Sequence, residues 1–233
     1  MYFSFEDQNI NFDIPDRYKK IAINLSGGAD SAILMYLVVK YLIKKERSNT
    51  EVNALTCAND LKHRWNARKS ADVINYILDK TQFDQFNMHY TYYRKEQNQT
   101  HVLGIPQQLF EDKKIDLVVT GLTSNPKNLA LVEDINGKIV NLNETGLSER
   151  IALSKLKPCF WTVNNTTYYT PFVNVDKRFI SFLYKEFEAD ELLQLTRSCE
   201  DIPDTAYYNR DFENNPCGKC WWCLERKWAF GEF

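Results

Sequence analysis

No stretch of this sequence is apolar enough to cross a bilayer. Its longest apolar run, Ala32 to Val39, is far shorter than a membrane-spanning helix requires. The opening residues MYFSFEDQNINFDIPDR carry no basic segment followed by an apolar core, so no targeting segment is expected and the cytoplasm is the default location, with no membrane partner. Nor is there a surplus of positive charge. The formal net charge is −2, whereas a large face for long nucleic acid would push the balance the other way, so nucleic acid is a disfavoured partner. No internal repeat and no low-complexity segment interrupts the chain. What is present is an ordinary globular composition, 44% hydrophobic and 26% charged over 233 residues, sufficient for one sizeable core with a small appendage.

As far as Leu122, apolar runs alternate with amphipathic ones. Lys20–Leu25, Glu51–Ala58, Phe86–Tyr93 and Asp116–Leu122 read as strands. Ala29–Lys45, Arg64–Lys80 and Ile105–Lys114 read as helices. Such alternation predicts a doubly wound, Rossmann-like α/β fold around a parallel sheet. Beyond Gly121 the regularity fades. Asn125 to Tyr169 reads as an irregular substrate or lid region with short helices such as Ser148 to Leu156. Order returns at TPFVNVDKRFISFLYKEFEA, where Asp176 is placed to cap a helix running to about Phe187. The expected division is an α/β domain over 1–190 and a small C-terminal subdomain over 191–233.

The first chemical signal is Ser26-Gly27-Gly28-Ala29-Asp30-Ser31, between the first strand and the first helix. Glycine lets the backbone turn and lets a ligand touch the main chain. The free amides of a helix start form a nest for phosphate. No lysine follows the glycines, which excludes a Walker loop, and no third glycine completes a dinucleotide fingerprint. The bland alternative is a tight turn capped by Asp30 and Ser31.

The second signal lies in the tail, where Cys199 precedes Cys217-x2-Cys220-x2-Cys223. Four thiolates suit a tetrahedral, structural Zn²⁺ with no open position, and Gly218 stands where a tight turn would bring amides onto sulfur. An iron–sulfur cluster is the alternative for three closely spaced cysteines. Trp221, Trp222 and Trp228 read as the miniature core of such a knot, with base stacking as the rival use.

LSGGADSA resembles the signature of the ATP pyrophosphatase (PP-loop) superfamily, whose members have the adenine nucleotide alpha hydrolase type of fold and cleave ATP between the α and β phosphates. With PCGKCWWCLERKWAF and TPFVNVDKRFI, the chain resembles the 7-cyano-7-deazaguanine synthase family. The resemblance implies that Ser26, Gly27, Gly28, Asp30 and Ser31 hold the pyrophosphate of ATP, with Asp30 organising Mg²⁺ or the loop. It puts Thr56 and Cys57 beside adenine, Gly121 where a side chain would crowd the nucleotide, and Lys177 at a phosphate. Cys199, Cys217, Cys220 and Cys223 are its zinc ligands, and Arg226 is the arginine that closes the cysteine motif.

His63 and Arg64 are within reach of a triphosphate in that scheme. Lys127, Arg150, Lys155 and Lys157 are unassigned cations of the irregular region. The implied reaction adenylates a deazaguanine-like carboxylate, couples it to ammonia, and dehydrates the amide to a nitrile. YRKEQNQTHVLGIPQQ and GLTSNPKNLALVEDINGK depart from the family pattern. Other acceptors therefore stay open: a relative that stops at the amide or transfers the acyl group to another amine, a tRNA thiolation enzyme using Cys57, or a non-catalytic nucleotide-binding module. A homodimer is also left open.

Overall fold

The computed structural model describes residues 1–58, 65–93, 100–126, 130–143, 159–199 and 216–233. The chain opens on a hairpin, β1 (Tyr2–Phe5) and β2 (Gln8–Asn11). Then come β3 (Lys20–Asn24), α1 (Ala29–Lys44), β4 (Glu51–Ala58), α2 (Asn66–Thr81), β5 (Phe86–Tyr93), α3 (Thr100–Glu111) and β6 (Leu117–Thr120). Two hairpins follow, β7 (Leu131–Glu133) with β8 (Ile139–Asn141), and β9 (Phe160–Val163) with β10 (Thr166–Tyr169). Helices α4 (Lys177–Glu186), α5 (Asp190–Gln194) and α6 (Trp221–Phe230) complete the described elements. None of the described helices is long and apolar enough to cross a membrane.

Six strands form the central sheet, in the order β5-β4-β3-β6-β10-β9. Every neighbouring pair is parallel except the edge pair of β10 with β9. Strand alternation sorts the side chains to two faces. Ile21, Ile23, Val52, Ala54, Leu117, Val119 and Tyr169 join the large core beneath α1, α2, α4 and α5. Ala22, Leu55, Val118 and Tyr168 join a smaller core to which α3 contributes Leu109. Both faces are covered at the centre of the sheet, which is why β3 and β6 read as apolar runs. This is the doubly wound α/β fold that the sequence predicts.

Between β3 and β4 the chain winds one way, and between β5 and β6 it crosses back to the other side of β3. The loops after β3 and β6 thus diverge from a topological switch point, where open α/β sheets leave a crevice for ligands.

The differences from the sequence-based expectation are local. The stretch read as irregular holds two hairpins, and β10 is a fifth parallel strand of the main sheet, paired to β6 through Tyr168↔Val118 and Tyr169↔Val119. Its turn, Asn164-Asn165, has positive φ at both residues (47° and 61°), a hairpin signal that two asparagines carry openly. Helix α3 begins at Thr100 rather than Ile105 and takes Pro106 into its interior. The tail, expected to have little periodicity, contains α6. His63, Arg64, Lys127, Arg150, Lys155, Lys157 and the helix at Ser148 to Leu156 lie outside the described residues.

The N-terminal hairpin, absent from the sequence-based reading, braces α4. Phe5 stacks on Phe182 with centroids 5.1 Å apart, and Phe3 meets Phe187 edge-on at 5.7 Å. Asp176 caps α4 as expected, its carboxylate accepting from the Arg178 N–H at 3.0 Å. Its own N–H donates to the Gln8 side chain at 2.7 Å, tying the cap to β2.

Candidate active site

The loop after β3 is held by its own two serines. Ser26 N–H donates to Ser31 Oγ at 3.1 Å, and that hydroxyl donates to the Gly28 carbonyl at 3.1 Å. Ser26 Oγ lies 3.2 Å from Ser31 Oγ and accepts from the Gly28 N–H at 3.4 Å. Gly28 is the N-cap of α1, and no side chain caps that helix. The positive end of a 16-residue helix therefore faces the crevice. Ser31 is buried, Gly28 and Asp30 are half-buried, and Ser26 is exposed. The loop is shaped in advance, with alternate residues turned outward.

Two glycines are fixed by their surroundings. Gly27 has φ +74°, and a Cβ there would stand 2.6 Å from Lys69 Cβ on α2. At Gly121, after β6, a Cβ would stand 3.0 Å from the backbone of Asp30. So the loop after β6 lies directly on the first turn of α1. Gly27→Ala is expected to cost about 1–2 kcal/mol from backbone handedness alone, and more from the contact with α2. Gly28→Ala, whose Cβ would meet Ser26 Oγ at 3.3 Å, should cost much less. Urea denaturation of the two variants side by side checks the order; equal losses would contradict it.

Lys177, the first residue of α4, reaches across to this loop. Its Nζ lies 2.7 Å from Asp30 Oδ2 and 3.8 Å from Glu225 Oε2. Lys177 is 3% exposed and Glu225 is fully buried. A buried ammonium without a carboxylate would cost several kcal/mol, and here two carboxylates share it. The triad joins α1, α4 and α6. Sequence reasoning found Asp30 and Lys177 but missed Glu225, which reads as a solvated charge in CLERK.

Thr56 stands at the end of β4, fully buried. Its hydroxyl donates to the Leu25 carbonyl at 2.8 Å and lies 2.8 Å from His89 Nε2. With that proton spent, His89 Nε2–H is the donor to Thr56; burial lowers the basicity of this histidine. Ser70 Oγ, from α2, donates to the same Leu25 carbonyl at 3.0 Å. These bonds lock the root of the glycine loop to β4 and α2. The Thr56 side chain thus serves the loop's frame. Cys57 lies beside it, half-buried, with its carbonyl accepting from the Asn66 side chain at 3.1 Å.

The four tail cysteines converge. All their Sγ atoms lie within 4.8 Å of one another. Cys217 Sγ is 3.8 Å from Cys223 Sγ, and Cys220 Sγ is 4.0 Å from Cys199 Sγ. Four sulfurs at about 2.3 Å from a single tetrahedral ion would be about 3.8 Å apart, so the set fits one ion. The turn at Gly218 (φ +67°) brings the Lys219 and Cys220 N–H groups to 3.5 and 3.2 Å from Cys217 Sγ. Cys199 is held far below the usual thiol range by hydrogen bonds from Cys217, Cys220 and Cys223, while Cys199 pushes Cys223 far above it. A bound cation would remove that conflict by taking all four as thiolates. Cys220 caps α6 and Cys223 lies in its first turn. Trp221 and Trp228 pack with Leu224 against the β7–β8 hairpin in the knot's small core, whereas Trp222, expected there too, is outside that core and meets Trp221 edge-on at 5.0 Å.

Sheet order, switch-point loop and cysteine knot together define a doubly wound α/β chain with a C-terminal four-cysteine cluster that could hold one metal ion. Comparison with known proteins adds distant likenesses only. No protein-family model and no curated protein matches the chain. Among solved structures, a U34-tRNA thiolase of Methanococcus maripaludis, determined with its 4Fe–4S cluster, is 15% identical over 89% of this chain and 70% of its own, with a TM-score of 0.43. An NMN synthetase of Francisella tularensis is 13% identical over 93% of this chain and 79% of its own, with a TM-score of 0.42. An FMN adenylyltransferase of Candida glabrata, determined with FMN and an ATP analogue, is 15% identical over 71% of this chain and 48% of its own, at 0.42. Likenesses this distant say nothing of what the chain does.

Proposed function

We propose that this protein is an ATP-dependent ligase that activates a carboxylate as its adenylate. The carrying observation is the Ser26–Ser31 loop at the switch point, closed over by Gly121 and braced by the buried Lys177–Asp30 pair at 2.7 Å. A pre-shaped loop at a helix N-terminus stabilises charge that grows on phosphate oxygens, and it contains no lysine for γ-phosphate transfer. A substrate carboxylate oxygen attacks the α-phosphorus, and pyrophosphate leaves into the loop. Ammonia then attacks the acyl carbon, and AMP departs with the carboxylate oxygen. Asp30, half-buried beside the loop, suits the Mg²⁺ that accompanies ATP; such an ion neutralises the leaving pyrophosphate. Gly121, by lacking a side chain, lets the loop after β6 lie against the first turn of α1, and adenine is placed at the end of β4, near Thr56 and Cys57.

The substrate we favour is 7-carboxy-7-deazaguanine, converted to its amide or, by a second activation, to 7-cyano-7-deazaguanine. This rests on the likeness of the loop and the cysteine tail to that synthase family. We assign the four-cysteine centre to structural Zn²⁺, because the sulfur separations suit one ion and leave no open position. The chain, loaded with Zn²⁺, is incubated with ATP, Mg²⁺, ammonium and 7-carboxy-7-deazaguanine. Equal amounts of AMP and pyrophosphate should appear, with one AMP per amide and two per nitrile. Formation of ADP, or no nucleotide consumption with any carboxylate offered, would sink the proposal.

A further inference from the structure

Beside the knot lies a cavity of about 200 Å³ between the start of α2, the stretch after α5, and α6. Lys69, Arg197, Ser198 and Arg226 supply cationic and hydroxyl groups to its wall. Arg197 is only 9% exposed. Its guanidinium sits 4.4 Å over the Trp65 ring, its Nε has no hydrogen-bond partner, and among the described residues no carboxylate pairs with it. Ser198 Oγ is also buried without a partner. Burying a cation is costly, and stacking on an indole recovers only part of that cost. The remainder calls for an anion.

Among the described residues, the anions that line the cavity are committed elsewhere. Glu232 lies 3.9 Å from Arg226. Cys199 and Cys223 line the wall but belong to the metal centre. Arg226 is the cation tied to that side: it donates to Thr196 Oγ1 at 2.8 Å and to the Leu193 carbonyl at 3.2 Å. Arg197 instead lies on the α2 side, over Trp65. Its backbone N–H donates to the Gly27 carbonyl at 2.9 Å, and Lys69 is the residue packed under Gly27. The cavity therefore shares a wall with the glycine loop.

We propose that this cavity seats a phosphoryl oxyanion, with Arg197 as its main ligand and Lys69 and Ser198 beside it. A planar guanidinium pairs with two phosphate oxygens at once, and a hydroxyl completes the shell. The anion is either the distal end of a nucleotide held in the loop or a free phosphate species. In the first case the inference rests on the ATP reading; in the second it stands without it.

The test is calorimetric titration of the Zn²⁺-loaded full chain with Mg²⁺-pyrophosphate, ATP and AMP, comparing wild type, Arg197→Gln and Arg197→Lys. Arg197→Gln should weaken pyrophosphate at least about tenfold, Arg197→Lys should weaken it less, and AMP should be unchanged. A parallel loss for ATP identifies the nucleotide's own tail. Unchanged ATP affinity, with pyrophosphate binding alongside ATP, identifies a free anion. Equal pyrophosphate affinity in wild type and Arg197→Gln, or none in wild type, overturns the proposal. Should Arg197→Gln fail to fold, wild-type fluorescence decides: pyrophosphate must alter an emission that Trp65→Phe removes, and an unaltered emission overturns the site. Arg197-dependent pyrophosphate binding without turnover of ATP on any carboxylate would defeat the ligase reading while leaving this site standing.

Discussion

Lys177→Met is expected to cost about 3–5 kcal/mol of stability, the range for removing one member of a buried ion pair. Its ammonium lies 2.7 Å from Asp30 and 3.8 Å from Glu225, and the whole Glu225 side chain is inaccessible. Without it, two carboxylates from different helices lose the ammonium they share. The loss should appear in urea denaturation as a lower midpoint with an unchanged slope. Asp30→Asn combined with Lys177→Met should be less damaged than the sum of the single changes, because the second change removes what the first left unpaired. Additive losses would mean that the two side chains do not sense one another. Asp30 sits in the glycine loop, so ATP turnover should fall further than the folded fraction does.

Removing the metal should have an effect of similar or greater size. Thiolate coordination of Zn²⁺ in small domains is worth about 10–16 kcal/mol, against about 5–15 kcal/mol for the stability of a whole domain. Here the ion would hold Cys199, the turn at Cys217–Cys220 and the first turn of α6. Chelation, or Cys220→Ser, is expected to expose the amides of α6 to hydrogen exchange, lower the melting temperature sharply and abolish turnover. One zinc per chain by elemental analysis, with no visible iron–sulfur absorbance, should accompany the intact state. A chelated protein that melts with the untreated one would show that the cysteines hold themselves together without an ion.

The βα part of the fold was legible because its physics is local. β4 and β5 run over the residues expected, and β3, α1 and α2 differ only at their ends. Strands buried on both faces announce themselves as apolar runs, and each of these is followed by an amphipathic helix. Tyr168 and Tyr169 send no such signal. They fill the two cores as well as Val and Ile do elsewhere, but they stand in a run of Thr and Tyr that reads as polar. α6 was hidden because its inward residues include Glu225 and Arg226, whose burial depends on Lys177, Thr196 and Leu193 supplied from other elements. The same holds for the site. The glycine loop and the cysteines are contiguous patterns, whereas Glu225, His89 and Arg197 acquire meaning only from what the fold sets beside them.

The triad also has a consequence in time. Asp30 and Lys177 are 147 residues apart in the chain, and Glu225 comes later still. On the ribosome the glycine loop emerges early, yet its aspartate meets its counter-ion only when α4 has formed, and that lysine meets its second carboxylate only when the metal centre closes. Contacts of such long range form late. The glycine loop, which precedes α4 and α6 in the chain, thus settles only after both have been made.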